Sequence, residues 1–283
     1  MMRILDFHVH HDGDPDDAGR FADAWSAAGI EQAVVFAMTR GDGSHASPAE
    51  IAALAARRPD FFIPFGYAAP GHHDGVAQVR EAASRGFKGM KFIFPARPYD
   101  VDEYLPIYEE AAKTGMVCLF HTGIVIGTAR GDHDCAYQRR WRVSSDYMRP
   151  SRLDRIARCF PEMNIVGAHL GGGAWYEEAA QLMVWNGNVY FDLSIGQMHY
   201  VRRDLPEDSE RRAVKPRIQE LYDAGQLKLD RVLFGTDANV GHGRSTPDWA
   251  LRTVRFELDA LGVGEKEKQA VWRGTAARLL HLE

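Results

Sequence analysis

Short apolar runs alternate with longer segments of helical periodicity along the whole chain. The runs ILDFHVH (4–10), QAVVFAM (32–38), FFIPFGYA (61–68), GFKGMKFIF (86–94), MVCLFHT (116–122), MNIVGAHL (163–170), VYFDLSI (189–195) and RVLFGTD (231–237) predict eight strands. Helical spacing falls near 17–28, 48–58, 74–85, 102–114, 150–159, 174–185, 209–224 and 246–261. Each run is apolar on both faces, as expected of a strand with helices on one side and a filled core on the other. Eight strand–helix repeats without a linker predict one α/β domain over residues 1–283, a (β/α)8 TIM barrel. A doubly wound open sheet is the alternative, but no G-x-G-x-x-G follows the first strand.

Local signals agree with the barrel. Ser47-Pro48 reads as an N-cap and first-turn pair, and Pro150-Ser151 opens the segment with Leu153 and Ile156. Residues 264–282 read as extra C-terminal helices covering the barrel. The longest unpatterned stretch, 123–149, follows the fifth strand, and loops of that length are commonly functional or disordered.

Polar residues gather where the strands end. His8 and His10 close the first strand, and i, i+2 spacing on a strand aims both imidazoles to one side. By the same periodicity Asp6 is expected on that face. His121 ends the fifth strand, His169 the sixth and Asp237 the eighth. Parallel barrels carry their chemistry at the C-terminal ends of the strands, so these groups are expected to meet at one mouth. A lone histidine there is usually a satisfied core residue. Four histidines and an aspartate, from 12 histidines in the chain, point instead to a metal site.

DFHVH, GFKGMKF, LFHTG, GAHLGGG and LFGTDAN, in that order, resemble the amidohydrolase superfamily. The nearest branch is the amidohydrolase-related group that contains aminocarboxymuconate-semialdehyde decarboxylase and several lactonases. The resemblance runs from Asp6 to the closing TAARLL. It implies that His8, His10, His121 and Asp237 ligate one divalent metal, usually zinc, with His169 beside it in a hydrogen-bonding or acid/base role. Three imidazoles and a carboxylate suit Zn²⁺ and also Mn²⁺ or another divalent ion, which activates water near neutral pH. Asp237 is thus expected to be both ligand and catalytic group. Binuclear members use a carbamylated lysine at the fourth strand. Lys88 and Lys91 lie on opposite faces there, so at most one points inward; the branch this chain resembles does not use the bridge, and that resemblance implies a single metal.

Other residues are weaker candidates. Asp192 is expected either to orient a histidine or to cap the next helix. In the loop after strand five, Arg130 and Trp141 offer a carboxylate partner and a stacking face; a solvated or intersubunit loop is the bland alternative. Arg244 and His242 follow Asp237 and could do the same work, and His45, His72 and His73 read as surface residues.

Composition excludes several classes. The content is 45% hydrophobic and 26% charged with a net charge of −5, which is ordinary for a globular protein and offers nothing to nucleic acid or an anionic membrane. No apolar run of about 18 residues exists to span a bilayer, and the start lacks a signal-peptide pattern. Cys118, Cys135 and Cys159 make neither a disulfide framework nor a metal knuckle, Cys118 reads as core, and a cytoplasmic location is expected. The expected partner is a small-molecule substrate that can carry a carboxylate, and a homodimer paired through barrel helices is an assembly the resemblance allows.

Metal-dependent hydrolysis of a small ester, lactone or amide is the leading expectation. The alternative is metal-dependent non-oxidative decarboxylation of an unsaturated or aromatic carboxylic acid. A metal-binding scaffold without turnover is the third reading, disfavoured because both His169 and Asp237 are present.

Overall fold

The computed structural model describes residues 3–12, 14–40, 42–125, 136–194, 198–206, 211–240 and 246–282. Seven parallel strands follow one another in sequence order: β1 (Ile4–His11), β2 (Ile30–Ala37), β3 (Phe62–Ala68), β4 (Gly89–Phe92), β5 (Val117–Phe120), β6 (Ile165–Gly167) and β7 (Val189–Asp192). The eighth strand is split. Val232–Leu233 pairs with β7, whereas Ala238–Val240 pairs with β1. The Phe7 N–H bonds to the Phe234 carbonyl and the Asp237 N–H to the His8 carbonyl, each at 2.9 Å. These bonds draw the sheet into a nearly closed eight-stranded barrel.

Two apolar layers hold it. Leu5, Phe7, Val34, Phe36, Ile63, Phe65, Val117, Leu119, Val166 and Leu233 fill the interior, and Ala276, Leu279 and Leu280 of the C-terminal helical segment join them from below. Outward residues such as Val9, Val35, Met90 and Cys118 pack against the surrounding helices. The expected strands, helices and C-terminal cover are thus present, with β4 to β7 shorter than the apolar runs that predict them. Ser47 caps Pro48–Arg57 through a capping box: its hydroxyl accepts the Glu50 N–H at 3.2 Å while Glu50 accepts the Ser47 N–H at 2.7 Å.

One stretch differs from expectation. Of the segment 209–224 expected to be helical, Pro216–Asp223 is the only helix among the described residues. Arg212–Val214 instead pairs antiparallel with His199–Val201, and Pro216, lacking an N–H, marks the helix start. Among the described residues no helix is long and apolar enough to cross a membrane.

Candidate metal centre

A bulge in β1 decides which side chains face the mouth. Asp6 pairs with Ala33 but Val9 with Val35, so β1 carries one extra residue between them. A bulge of this kind inverts the alternation beyond it. Leu5 and Phe7 therefore fill the barrel interior while His8 and His10 also point inward above them. Asp6 does not share the histidines' face, contrary to the simple period-two reading. Its carboxylate accepts the Trp25 indole N–H at 2.9 Å and the Thr236 hydroxyl at 2.6 Å. Burial pushes Asp6 up to about 6 despite these donors.

His8, His10 and Asp237 lie together. His8 Nε2 lies 3.3 Å from His10 Nε2, and Asp237 Oδ1 lies 3.2 Å from the former and 3.1 Å from the latter. Among the described residues, His10, Asp237 and His8 form one of two groups whose donor atoms all lie within 4.8 Å of one another. Asp237 adopts φ 55° at the break in the eighth strand, a left-handed conformation that turns its side chain back over β1. Gly235 permits this closeness, since a Cβ there would lie 2.8 Å from that of His8.

The other group is His8, His169 and Asp192. Asp192 Oδ2 accepts the His8 Nδ1–H at 2.8 Å, and Oδ1 accepts the backbone N–H groups of His169 at 2.9 Å and Ser194 at 3.0 Å together with the Ser194 hydroxyl. Protons therefore already satisfy this carboxylate. Burial opposes its charge, but the contacts from His8, His169 and Ser194 outweigh that and hold Asp192 well below the usual carboxylate range. Of the two expected roles for Asp192, orienting a histidine is the one its bonds display.

His121 stands just past β5, outside both groups. Its Nδ1 lies 3.3 Å from His169 Nε2. Its Nε2 is buried with no hydrogen-bond partner among the described residues. His169 is not on β6 itself. With Leu170 it forms a left-handed turn, φ 60° and 46°, directly after the strand. Thr122 braces that turn: its hydroxyl donates to the Ala168 carbonyl and accepts the Gly171 N–H at 3.2 Å. Alongside, Gly123 and Gly172 touch backbone to backbone, and a Cβ on Gly172 would come within 3.0 Å of the Gly123 Cα. This contact sets the His121 and His169 loops side by side.

Lys91 is the inward lysine and is fully buried, whereas Lys88 is exposed. The Lys91 ammonium donates to His8 Nε2 at 3.1 Å and sits 5.0 Å from the centre of the Phe36 ring. Burial lowers it to about 8, lowers His8 to about 3, and pushes His10 and His121 below the ordinary histidine range.

These observations fit a bound cation. Asp192 holds a proton on His8 Nδ1, which leaves Nε2 as an acceptor, taken here by the Lys91 ammonium. His8 Nε2, His10 Nε2 and the Asp237 carboxylate oxygen, 3.1–3.3 Å from one another, form a donor set of the kind that holds a divalent cation. The orphaned Nε2 of His121 is a further donor without a partner.

The outer candidates fare differently. Arg130, His133, His242 and Arg244 lie outside the described residues. Trp141 is described, but His72 stacks on its ring at 4.4 Å between centroids, so one face is already covered. His45, His72 and His73 are half-buried rather than surface residues, because Tyr67 and Trp141 pack against them. Ser194 and Thr122 escaped notice in the sequence. Ser194 had a legible signal: it follows Asp192 at i+2, the same spacing as His8 and His10.

The family described as amidohydrolase matches residues 6–282. No curated protein matches the chain in sequence. Among solved structures, an uncharacterised TIM-barrel protein from Bordetella bronchiseptica is 20% identical, covers 99% of each chain and superposes with a TM-score of 0.69. A 2,6-dihydroxybenzoate decarboxylase from Rhizobium is 17% identical over 99% of each chain with a TM-score of 0.61. A dihydroxybenzoic acid decarboxylase from Polaromonas sp. JS666, bound to manganese and 2-nitroresorcinol, is 17% identical over 99% of this chain and 97% of its own, also with a TM-score of 0.61. At these identities the likeness speaks for the fold.

Proposed function

We propose that this chain, which belongs to the amidohydrolase family, is a metal-dependent decarboxylase of a small aromatic or unsaturated carboxylic acid. This reverses the order of the two expectations drawn from sequence, in which hydrolysis of an ester, lactone or amide came first. The observation that carries the metal reading is the pairing of His8 Nε2 with Asp237 Oδ1 at 3.2 Å, beside the buried Lys91 ammonium. Decarboxylation is favoured over hydrolysis by the two decarboxylases that share the whole fold, one of them a manganese protein.

His8, His10, His121 and Asp237 would hold one divalent ion. Bound there, it would supply Lewis-acid attraction for a substrate carboxylate. Lys91 adds a second positive charge in a low-dielectric site, where attraction for an anion is strongest. Phe36, whose ring packs 4.7 Å from that of His10, keeps water from this side. In the reaction the bond between the substrate carbon and its carboxylate breaks. The electron pair stays on the carbon, CO2 departs and a proton takes its place. Asp237, with 23% of its side chain exposed against none for His8, is the group placed to manage that proton at the open face. His169 is bonded through both ring nitrogens, so it holds protons within the network rather than meeting solvent.

The test is a panel of hydroxybenzoates and unsaturated diacids set against lactones and aryl esters, with Mn²⁺- or Zn²⁺-loaded protein. Metal-dependent CO2 release from an acid is the expected result. Release of acid from a lactone or ester without CO2 would return the assignment to hydrolysis.

A further inference from the structure

Ser194 joins three groups of the centre and has no role so far. It is fully buried two residues beyond Asp192, and its hydroxyl makes a short contact to Asp192 Oδ1, lies 2.7 Å from His169 Nδ1 and 3.3 Å from His8 Nδ1. The proton count at this oxygen settles its direction. Asp192 is an acceptor only, since Oδ1 already takes two backbone N–H groups and Oδ2 takes the His8 N–H. The single Ser194 proton must therefore point at Asp192. The 2.7 Å contact with His169 then needs a proton from the other side, which only His169 Nδ1 can provide.

The consequence propagates. A neutral His169 with its proton on Nδ1 has a bare Nε2, and that atom faces His121 Nδ1 at 3.3 Å. His121 must supply the proton there, so its own Nε2 is left bare. This is the atom that is buried without a partner. One carboxylate thus orients two imidazoles: His8 directly, and His121 through Ser194 and His169.

We propose that Ser194 is a positioning residue, a one-directional hydrogen-bond relay that presents the Nε2 lone pair of His121 for metal ligation. The inference rests on reading the centre as a metal site, and it assigns the proton positions that such a site requires. Groups that orient metal-ligating histidines fix the tautomer, and their loss typically costs 10–100-fold in affinity. The design also contains its own control, because His8 Nδ1 is held directly by Asp192 Oδ2 at 2.8 Å, with the Ser194 hydroxyl more distant at 3.3 Å.

Two readouts on one set of variants test it. In the metal-free, ¹⁵N-histidine-labelled protein, long-range ¹H–¹⁵N spectra report which ring nitrogen carries the proton. Wild type should show His8, His169 and His121 all protonated on Nδ1. In Ser194→Ala, His8 should keep that form while His121 becomes a mixture, and Ser194→Thr should restore it. Competition with a chelator for Zn²⁺ should show at least ~10-fold weaker binding in Ser194→Ala and near-normal binding in Ser194→Thr. The unchanged His8 signal certifies that the variant is folded. A wild-type His121 protonated on Nε2, or a His121 form indifferent to Ser194→Ala, overturns the relay. Failure of wild type to bind any divalent ion would sink the metal reading instead, whatever the tautomers show.

Discussion

Asp192 at the end of β7 accepts the Nδ1–H of His8 on β1 at 2.8 Å. That bond fixes which nitrogen His8 turns toward His10 and Asp237. Desolvation lowers this buried imidazole to about 3 and keeps it neutral, and the bond to Asp192 keeps it aimed.

Asp192→Asn removes the anionic acceptor while keeping the shape. An amide turned to donate to Ser194 or His169 would oppose the existing bonds. Divalent-ion affinity should fall ~10–100-fold, as for other residues that orient metal-bound histidines. Chelator competition measures it, and affinity within twofold of wild type would contradict the role.

Thr122 supports the left-handed turn of His169 and Leu170 from both ends. Thr122→Val keeps the volume but leaves the Gly171 N–H and the Ala168 carbonyl without their partner. The expected loss is about 1–3 kcal/mol in urea unfolding. Thr122→Ser should recover most of it, and equal stability of all three proteins would show that the brace is idle.

His45 gives a prediction in pH. Burial lowers it from 6.5 to about 4 in the folded chain, so between those values the unfolded state binds more protons. Stability contributed by the neutral ring is present above pH 6.5 and is lost as pH falls toward 4. His45→Gln should flatten the fall of stability over that window, and superimposable stability–pH curves would count against a buried His45. The ring contacts with Tyr67 at 4.5 Å and His73 at 5.0 Å account for the burial.

Much of this architecture was legible from periodicity, because a barrel strand covered on both sides leaves a near-continuous apolar run. The meeting of His8, His10 and Asp237 was legible for the same reason, since all three end strands of one parallel sheet. Asp6 was misplaced because a bulge adds a residue without any compositional mark. The antiparallel pairing of His199–Val201 with Arg212–Val214 was missed since two three-residue strands are too short to show a period. His169 and Asp237 sit in left-handed backbone just outside their strands, a detail that only the surrounding packing selects. Ser194 stood in plain view at the right spacing, but a serine gains meaning here from proton direction, which no pattern of residues encodes.

The central claim is that one divalent ion sits among His8, His10, His121 and Asp237. Metal analysis of reconstituted protein by mass spectrometry tests it most directly. The account predicts about one ion per chain in wild type and in His45→Gln, and well under half of that in His8→Ala and Asp237→Ala. A full equivalent retained by His8→Ala, or none taken up by wild type, would contradict it.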